Sequence, residues 1–338
     1  MNMKKWVEKM LADEKKTPMP ILSFPSVSLL GITVSQLISD PDLQAKGMKV
    51  VADRNFSAAS VSMMDLSVEA EAFGSQIRVS DEEVPTVIGA IAATAQEAEE
   101  LKVPTVGTGR TGLYIDAIAK AVAMINDRPV FAGTIGPFSL AGRLIDVNEA
   151  MIKCYEEPEL VHTVLEKAVR FLLEYIKAYK EIGAHGVVIA EPLAGLLSPG
   201  LADEFSVPYV KEIVEAVQDD DFIVIYHNCG NGTIQQIASI LSIGAAAYHF
   251  GNSISMREML KHIPSDVLVM GNVDPASQIC HGTPESVREE VLRILNECSE
   301  YKNFVISSGC DIPPASPWEN IDAFFAAVRE FYEKQACA

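Results

Sequence analysis

Three side chains in this 338-residue sequence have the types and spacing to hold a transition-metal ion: His227, Cys229 and Cys310. The first two close the run Phe222-Ile223-Val224-Ile225-Tyr226-His227-Asn228-Cys229-Gly230, whose five apolar or aromatic residues read as a buried strand. On a strand, residues i and i+2 point to the same side, so imidazole and thiol would aim at one point past the strand's carboxyl end. Cys310 closes a second apolar run, Phe304-Val305-Ile306-Ser307-Ser308-Gly309-Cys310. Two thiolates and an imidazole suit zinc better than magnesium or calcium, which prefer oxygen. Three protein ligands leave a fourth position open, as in a catalytic rather than a structural zinc site. Two anionic sulfurs quench much of the ion's charge, so such a centre activates water poorly. It is well suited to binding a substrate thiol, removing its proton and keeping the sulfur nucleophilic. A free thiol, with a pKa of about 8.5, is mostly protonated at neutral pH. The chemistry this pattern points to is alkyl transfer to sulfur.

Elements must deliver these groups, and the hydrophobic pattern supplies them. Residues 2–15 read as an amphipathic surface helix, stopped by Thr17-Pro18-Met19-Pro20, and 21–25 as a first short strand. Asp40-Pro41-Asp42, a capping residue followed by proline, opens a helix to about Arg54. Residues 61–66 form a second expected strand, with Asp65 at its end. The stretch from Ser67 to Arg128 exceeds what one barrel connection needs. It holds an irregular or hairpin excursion at 73–79 and helices around 93–101 and 112–126. Strands follow at 129–136, 186–191, 222–229, 245–250, 267–273 and 304–309, with a long helix over 158–182 and a closing helix over 318–334. Eight short apolar strands with helical segments between them signal parallel βα units. The expected fold class is therefore α/β, a (β/α)8 TIM barrel. It would be a single domain over 1–338 with an N-terminal helical extension and an insertion around 67–128.

In that fold, functional groups sit at the carboxyl ends of the strands. Those ends carry Asp65, Glu191, His227 with Cys229, His249, Asn272 with Asp274, and Cys310. Glu191 is the candidate catalytic carboxylate, either a transient fourth ligand or a group that orients substrate. Asp65, His249, Asn272 and Asp274 are candidates for binding substrate or cofactor. The plainer alternatives are a solvated carboxylate at a strand end and a histidine satisfied within a core. Cys154, Cys280, Cys298 and Cys337 fall in helices, connections or the tail and read as structural. Neither Gly136-Pro137-Phe138-Ser139-Leu140-Ala141-Gly142 nor Gly271-Asn272-Val273-Asp274-Pro275 has the phosphate-loop pattern. Gly107-Thr108-Gly109-Arg110-Thr111-Gly112 resembles a nucleotide loop superficially, but follows no convincing strand inside a βαβ unit.

The totals set outer limits. With 27 basic and 46 acidic residues the net charge is −19, which repels phosphate backbones and argues against a nucleic-acid partner. Hydrophobic residues make up 49% of the chain, enough for a large core, yet no stretch approaches a membrane span. The first ten residues are too charged for a signal segment, so a cytoplasmic protein is expected, with metal-bound or free thiols rather than disulfides.

At these residues the chain resembles the uroporphyrinogen decarboxylase superfamily, and within it the methylcobamide:coenzyme M methyltransferases. The resemblance covers most of the chain. It is carried by Asp65 to Gly74, the GPFSLAG segment, Glu191 to Pro199, His227 to Gly230, the GNVDP segment and Gly309 to Asn320. The H-x-C pair with a distant Gly-Cys separates the zinc methyltransferases from the decarboxylases. The resemblance implies a (β/α)8 barrel with zinc (Zn2+) on His227, Cys229 and Cys310. It also implies methyl transfer from a methylcobamide, a corrinoid carried by a separate small protein, to a thiol such as coenzyme M. Homocysteine or a folate as the other methyl partner, and decarboxylation on the same fold, are the alternatives. The decarboxylases grip porphyrin carboxylates with an arginine-rich N-terminal segment. Here residues 18–30 contain no arginine, which counts against that reaction.

Overall fold

The computed structural model describes residues 1–336; Cys337, expected to be a structural thiol, lies outside them. Nine strands occur in chain order: β1 Ser60–Val61, β2 Gln76–Arg78, β3 Thr86–Ile88, β4 Val130–Ile135, β5 Gly186–Ala190, β6 Ile223–Asn228, β7 Ala247–Phe250, β8 Leu268–Val273 and β9 Phe304–Ser308. Seven form one parallel, curled sheet in the order β1-β4-β5-β6-β7-β8-β9, and β2 and β3 form a separate antiparallel hairpin. Every residue of β5 to β9 is buried. This is why these strands read in sequence as unbroken apolar runs rather than alternating ones. Helices join consecutive parallel strands, as parallel pairing requires. The architecture is the expected α/β barrel.

The first expected strand differs from expectation. Residues 18–22, not 21–25, lie between β9 and β1 and form no ladder, and Phe24–Pro25 are in a turn. Pro18 and Pro20 have no N–H to give, which removes alternate donors from the segment. The remaining groups still close the ring. Met19 N–H donates to the Ile306 carbonyl at 3.1 Å on the β9 side, and Ala58 N–H donates to the Pro18 carbonyl at 2.9 Å on the β1 side. An irregular stave thus occupies the eighth position. Of the second expected strand, 61–66, only Val61 is in a ladder, β1 being Ser60–Val61; further on, Met64 N–H bonds the Asp311 carboxylate at 2.7 Å instead of a neighbouring strand.

Alternation along the staves separates two cores. Ile223 and Ile225 of β6, Ala247 of β7, Leu268 and Met270 of β8 and Val305 of β9 fill the interior. Val224 and Tyr226, Tyr248 and Phe250, and Val269 and Val273 face the helices. The helix Met3–Ala12 packs Met3 and Met10 into the inner cluster, with Trp6 edge-on to Phe131 at 5.6 Å. It is therefore not the surface helix its amphipathicity suggests; its apolar face covers the barrel interior. The long helix Pro158–Glu181 and the helix Pro41–Arg54, capped by Asp40, lie where the sequence places them. The insertion holds the β2–β3 hairpin and the helices Ala95–Glu100 and Thr111–Met124. Among the described residues, no helix is long and apolar enough to cross a membrane.

Candidate metal centre

The alternation that puts Ile223 and Ile225 inside carries on to His227 and Cys229, so strand geometry alone brings both to the interior side of the barrel mouth. Cys310 follows two residues after β9. One ligand atom from each of His227, Cys229 and Cys310 lies within 4.8 Å of the others, the only such cluster of metal-binding side chains among the described residues. Two glycines make that approach possible. A Cβ on Gly251 would meet Cys229 Cβ at 2.4 Å, and one on Gly309 would meet Asn252 Oδ1 at 2.6 Å. The Cys310 S–H hydrogen-bonds Cys229, and this bond, aided by His227, pulls the Cys229 thiol well below its ordinary pKa. Cys310 is pushed up by the same bond and by burial.

The state of His227 follows from a proton inventory. Ser307 has one O–H, which it donates to the Met19 carbonyl at 2.7 Å. At the 2.8 Å contact between Ser307 Oγ and His249 Nε2, the hydroxyl therefore accepts, and His249 carries its proton on Nε2. Burial, then the neighbouring His227, lowers the His249 pKa well below its usual value, so the ring is neutral and its Nδ1 is an acceptor. That acceptor lies 2.8 Å from His227 Nδ1, which must carry the hydrogen; the His249 carbonyl at 3.3 Å is a second acceptor for it. His227 Nε2 is left buried and without a hydrogen-bond partner. A sealed, unpartnered imidazole nitrogen beside two sulfurs is the donor set that zinc takes. On this observation the residues fit the ion.

The other candidates have different surroundings. Glu191 lies beside His227, its N–H donating to the His227 carbonyl at 2.8 Å. Its carboxylate turns to the first turn of the helix Pro137–Ile145. There it accepts from Phe138 N–H at 2.8 Å, Ser139 N–H at 2.9 Å and Ser139 O–H at 2.7 Å. Burial pushes its pKa up to about 7, against the pull of those bonds. Gly136 is required there, since a Cβ would meet Glu191 Cγ at 2.2 Å. Asn272 uses both amide hydrogens on the carbonyls of Gly251 and Ile254, each at 2.9 Å, and so holds the loop behind Cys229. Asp274 caps the next helical turn, accepting from Ala276 and Ser277 N–H, each at 2.9 Å.

Asp65 is the hub of a second cluster. It accepts from Arg110 Nη1 at 2.5 Å, Tyr114 O–H at 2.7 Å, and Ser67 O–H at 2.5 Å and N–H at 3.1 Å. Arg110 also pairs with Glu71 at 2.7 Å. It arrives on the glycine-bearing segment set aside as a nucleotide loop, where Gly107 and Gly109 have φ of +100° and +58° and turn the chain back on itself. Nearby, Glu69 Oε1 accepts from Thr134 O–H at 2.6 Å and Ile135 N–H at 3.1 Å, while its buried Oε2 has no partner. Burial pushes Glu69 up to about 7. Asp311, next to Cys310, is likewise pushed up by burial, to about 8, and its Oδ1 is unpartnered. Sequence reasoning missed Arg110, Glu69, Ser307 and Asp311 as site residues. Ser307 gave a signal, a hydroxyl two residues after the inward Val305 on an otherwise apolar strand.

Comparison with known proteins agrees with this architecture. The family model for uroporphyrinogen decarboxylase (URO-D) matches residues 26–331. Methylcobamide:CoM methyltransferase MtbA of Methanosarcina acetivorans is 29% identical over 274 residues, covering 79% of this chain and 78% of that protein. A uroporphyrinogen decarboxylase of Prochlorococcus marinus is also 29% identical, over 244 residues, covering 69% of this chain and 68% of the other. Among solved structures, a methyltransferase from Methanosarcina mazei superposes with a TM-score of 0.84 at 22% identity, covering 98% of this chain and 99% of its own.

Proposed function

The chain belongs to the uroporphyrinogen decarboxylase family, and from that premise we propose that it is a zinc-dependent methyltransferase. It carries a methyl group from a methylated corrinoid, held by a small partner protein, to a thiol such as coenzyme M. Identity to the methyltransferase and to the decarboxylase is equal, 29% each, so membership alone does not choose between them. The observation that carries the choice is the buried, unpartnered Nε2 of His227 facing two sulfurs. A decarboxylase has no use for a thiolate-rich metal site.

Zinc bound to His227, Cys229 and Cys310 would supply one thing, a fourth position at which the acceptor's sulfur binds as thiolate at neutral pH. The protein's residues do the rest. Ser307 and His249 fix the His227 tautomer and ring orientation, so no proton competes for Nε2. Cys229 and Cys310 bring two negative charges, which keep the sulfur opposite them nucleophilic. Asn272 holds the Gly251 loop against Cys229. Glu191 fixes the start of the helix Pro137–Ile145, which follows β4 at the same mouth. The donor's methyl carbon is attacked in line: the C–S bond forms as the C–Co bond breaks, and the electron pair stays on cobalt. Holding a bulky corrinoid and a small thiol in one geometry accounts for much of the rate. The acidic chain and the absence of a spanning helix among the described residues are consistent with a cytoplasmic enzyme without nucleic-acid partners.

The test is zinc content and methyl transfer in the same preparation. The reading expects about one zinc per chain and, with methylcobalamin and a thiol, loss of the methyl–cobalt spectrum and appearance of Co(I). A zinc-free protein that releases carbon dioxide from a porphyrinogen would establish the decarboxylase instead.

A further inference from the structure

Arg143, on the helix Pro137–Ile145, is half-buried. Its Nε is sealed from solvent without a hydrogen-bond partner, and no described carboxylate forms an ion pair with it. Arg110, in the same neighbourhood, is fully paired, to Asp65 and Glu71. Partly burying an unpaired guanidinium costs stability, and that burial lowers Arg143's affinity for its proton, only partly offset by the fields of Glu69 and Asp65. A ligand that completes its pairing would account for that cost.

The location favours one kind of ligand. Glu69 is 1% exposed and its Oε2 is also unpartnered. The cluster adjoins the metal ligands through covalent and hydrogen-bonded neighbours: Asp311 follows Cys310 in the chain and accepts from Met64 N–H at 2.7 Å, and Asp65 follows Met64. An acceptor held by its sulfur at the metal would extend its other end toward this region. We propose that Arg143 anchors the acidic end of the acceptor thiol, a sulfonate or carboxylate at the opposite end from the sulfur. Guanidinium pairs with both acids in the same forked geometry. Glu69, pushed up to about 7 by burial, can face the anion as a neutral carboxyl group and donate to it. The assignment rests on the thiol-transfer reading of the metal site, and its test separates the two.

Zinc-loaded enzyme is titrated by calorimetry with 2-mercaptoethanesulfonate, 3-mercaptopropionate and the neutral 2-mercaptoethanol, and then with ethanesulfonate and propionate, which have no thiol. The wild type should bind one anionic thiol about 10- to 100-fold more tightly than the neutral one, and the tighter of the two names the acid. Arg143→Gln should erase that preference while leaving 2-mercaptoethanol binding unchanged, and Arg143→Lys should restore part of it. The ligand-free Arg143→Met protein should melt higher than wild type, because a half-buried, unpaired charge is gone; an arginine with a structural role would lower the melting temperature. Equal binding of charged and neutral thiols by the wild type, or a preference that survives Arg143→Gln, overturns the assignment. If no thiol binds through sulfur but ethanesulfonate or propionate still binds the wild type and not Arg143→Gln, the anion site stands and the zinc reading falls. If no anion binds at all, the anion site falls.

Discussion

His227 can serve a metal because of what its other nitrogen touches. Along the path Met19 carbonyl, Ser307, His249, His227, each hydrogen bond has one consistent direction. Ser307→Ala removes the acceptor for His249 Nε2–H and frees that ring to take the other tautomer, which would set two N–H donors against each other at His227. Zinc affinity should then fall about 10- to 100-fold in chelator competition, with the circular dichroism unchanged; unaltered affinity would show that the path does not set the tautomer. Cys229→Ala should stay folded and copurify with little zinc, because the site's charge is halved while the barrel core is untouched. An unfolded Cys229→Ala protein would instead mark the site as a structural staple. The convergence of His227, Cys229 and Cys310 was legible in the sequence because a period of two and a strand end suffice to place them. Arg143 was not, since its lack of a partner arises only when the helix Pro137–Ile145 packs beside Glu69 and Asp65. The surroundings of Glu191 were equally hidden, because its partners are backbone N–H groups 52 and 53 residues away.

At the scale of elements, the site depends on close approaches between loops at the ends of β6, β7 and β9. Gly251 follows β7 and lies against Cys229 with no room for a methyl group. Gly251→Ala should therefore push the loops apart and lower zinc affinity by an order of magnitude or more, read by the same chelator competition, while Gly200→Ala, where nothing lies within 4 Å, should leave it unchanged. The six strands from β4 to β9 were readable because parallel staves are buried on both faces and leave unmistakable apolar runs. The first stave was expected at 21–25 as a regular strand but runs over 18–22, where its prolines break the ladder while Met19 still bridges to Ile306. That irregular stave also supplies the carbonyl that orients Ser307, so ring closure and metal site share one hydrogen-bonded path. Amphipathicity showed that the helix Met3–Ala12 has an apolar face but not what that face covers, which is the barrel interior.

For the whole molecule, the stability profile should show its buried carboxyls. Burial holds the Glu69 pKa at about 7, against about 4.3 in the unfolded chain. Between those values the folded protein keeps a proton that the unfolded chain has lost, so this contribution is complete below about pH 4.3 and disappears as pH rises through about 7. Glu69→Gln, which cannot ionise, should lose less stability than wild type between pH 5 and 8, with a difference on the order of 3 kcal/mol across the window; parallel denaturant midpoints for the two proteins would contradict the assignment. The proposed function stands on which atoms surround a zinc ion held by His227, Cys229 and Cys310. Zinc K-edge X-ray absorption of the intact loaded protein, before and after addition of the acceptor thiol, reads this directly. The account predicts two sulfurs at about 2.3 Å and one nitrogen at about 2.0–2.1 Å, with a third sulfur replacing a lighter atom when thiol is added. A protein that holds no zinc, or a zinc shell that thiol leaves unchanged, would contradict it.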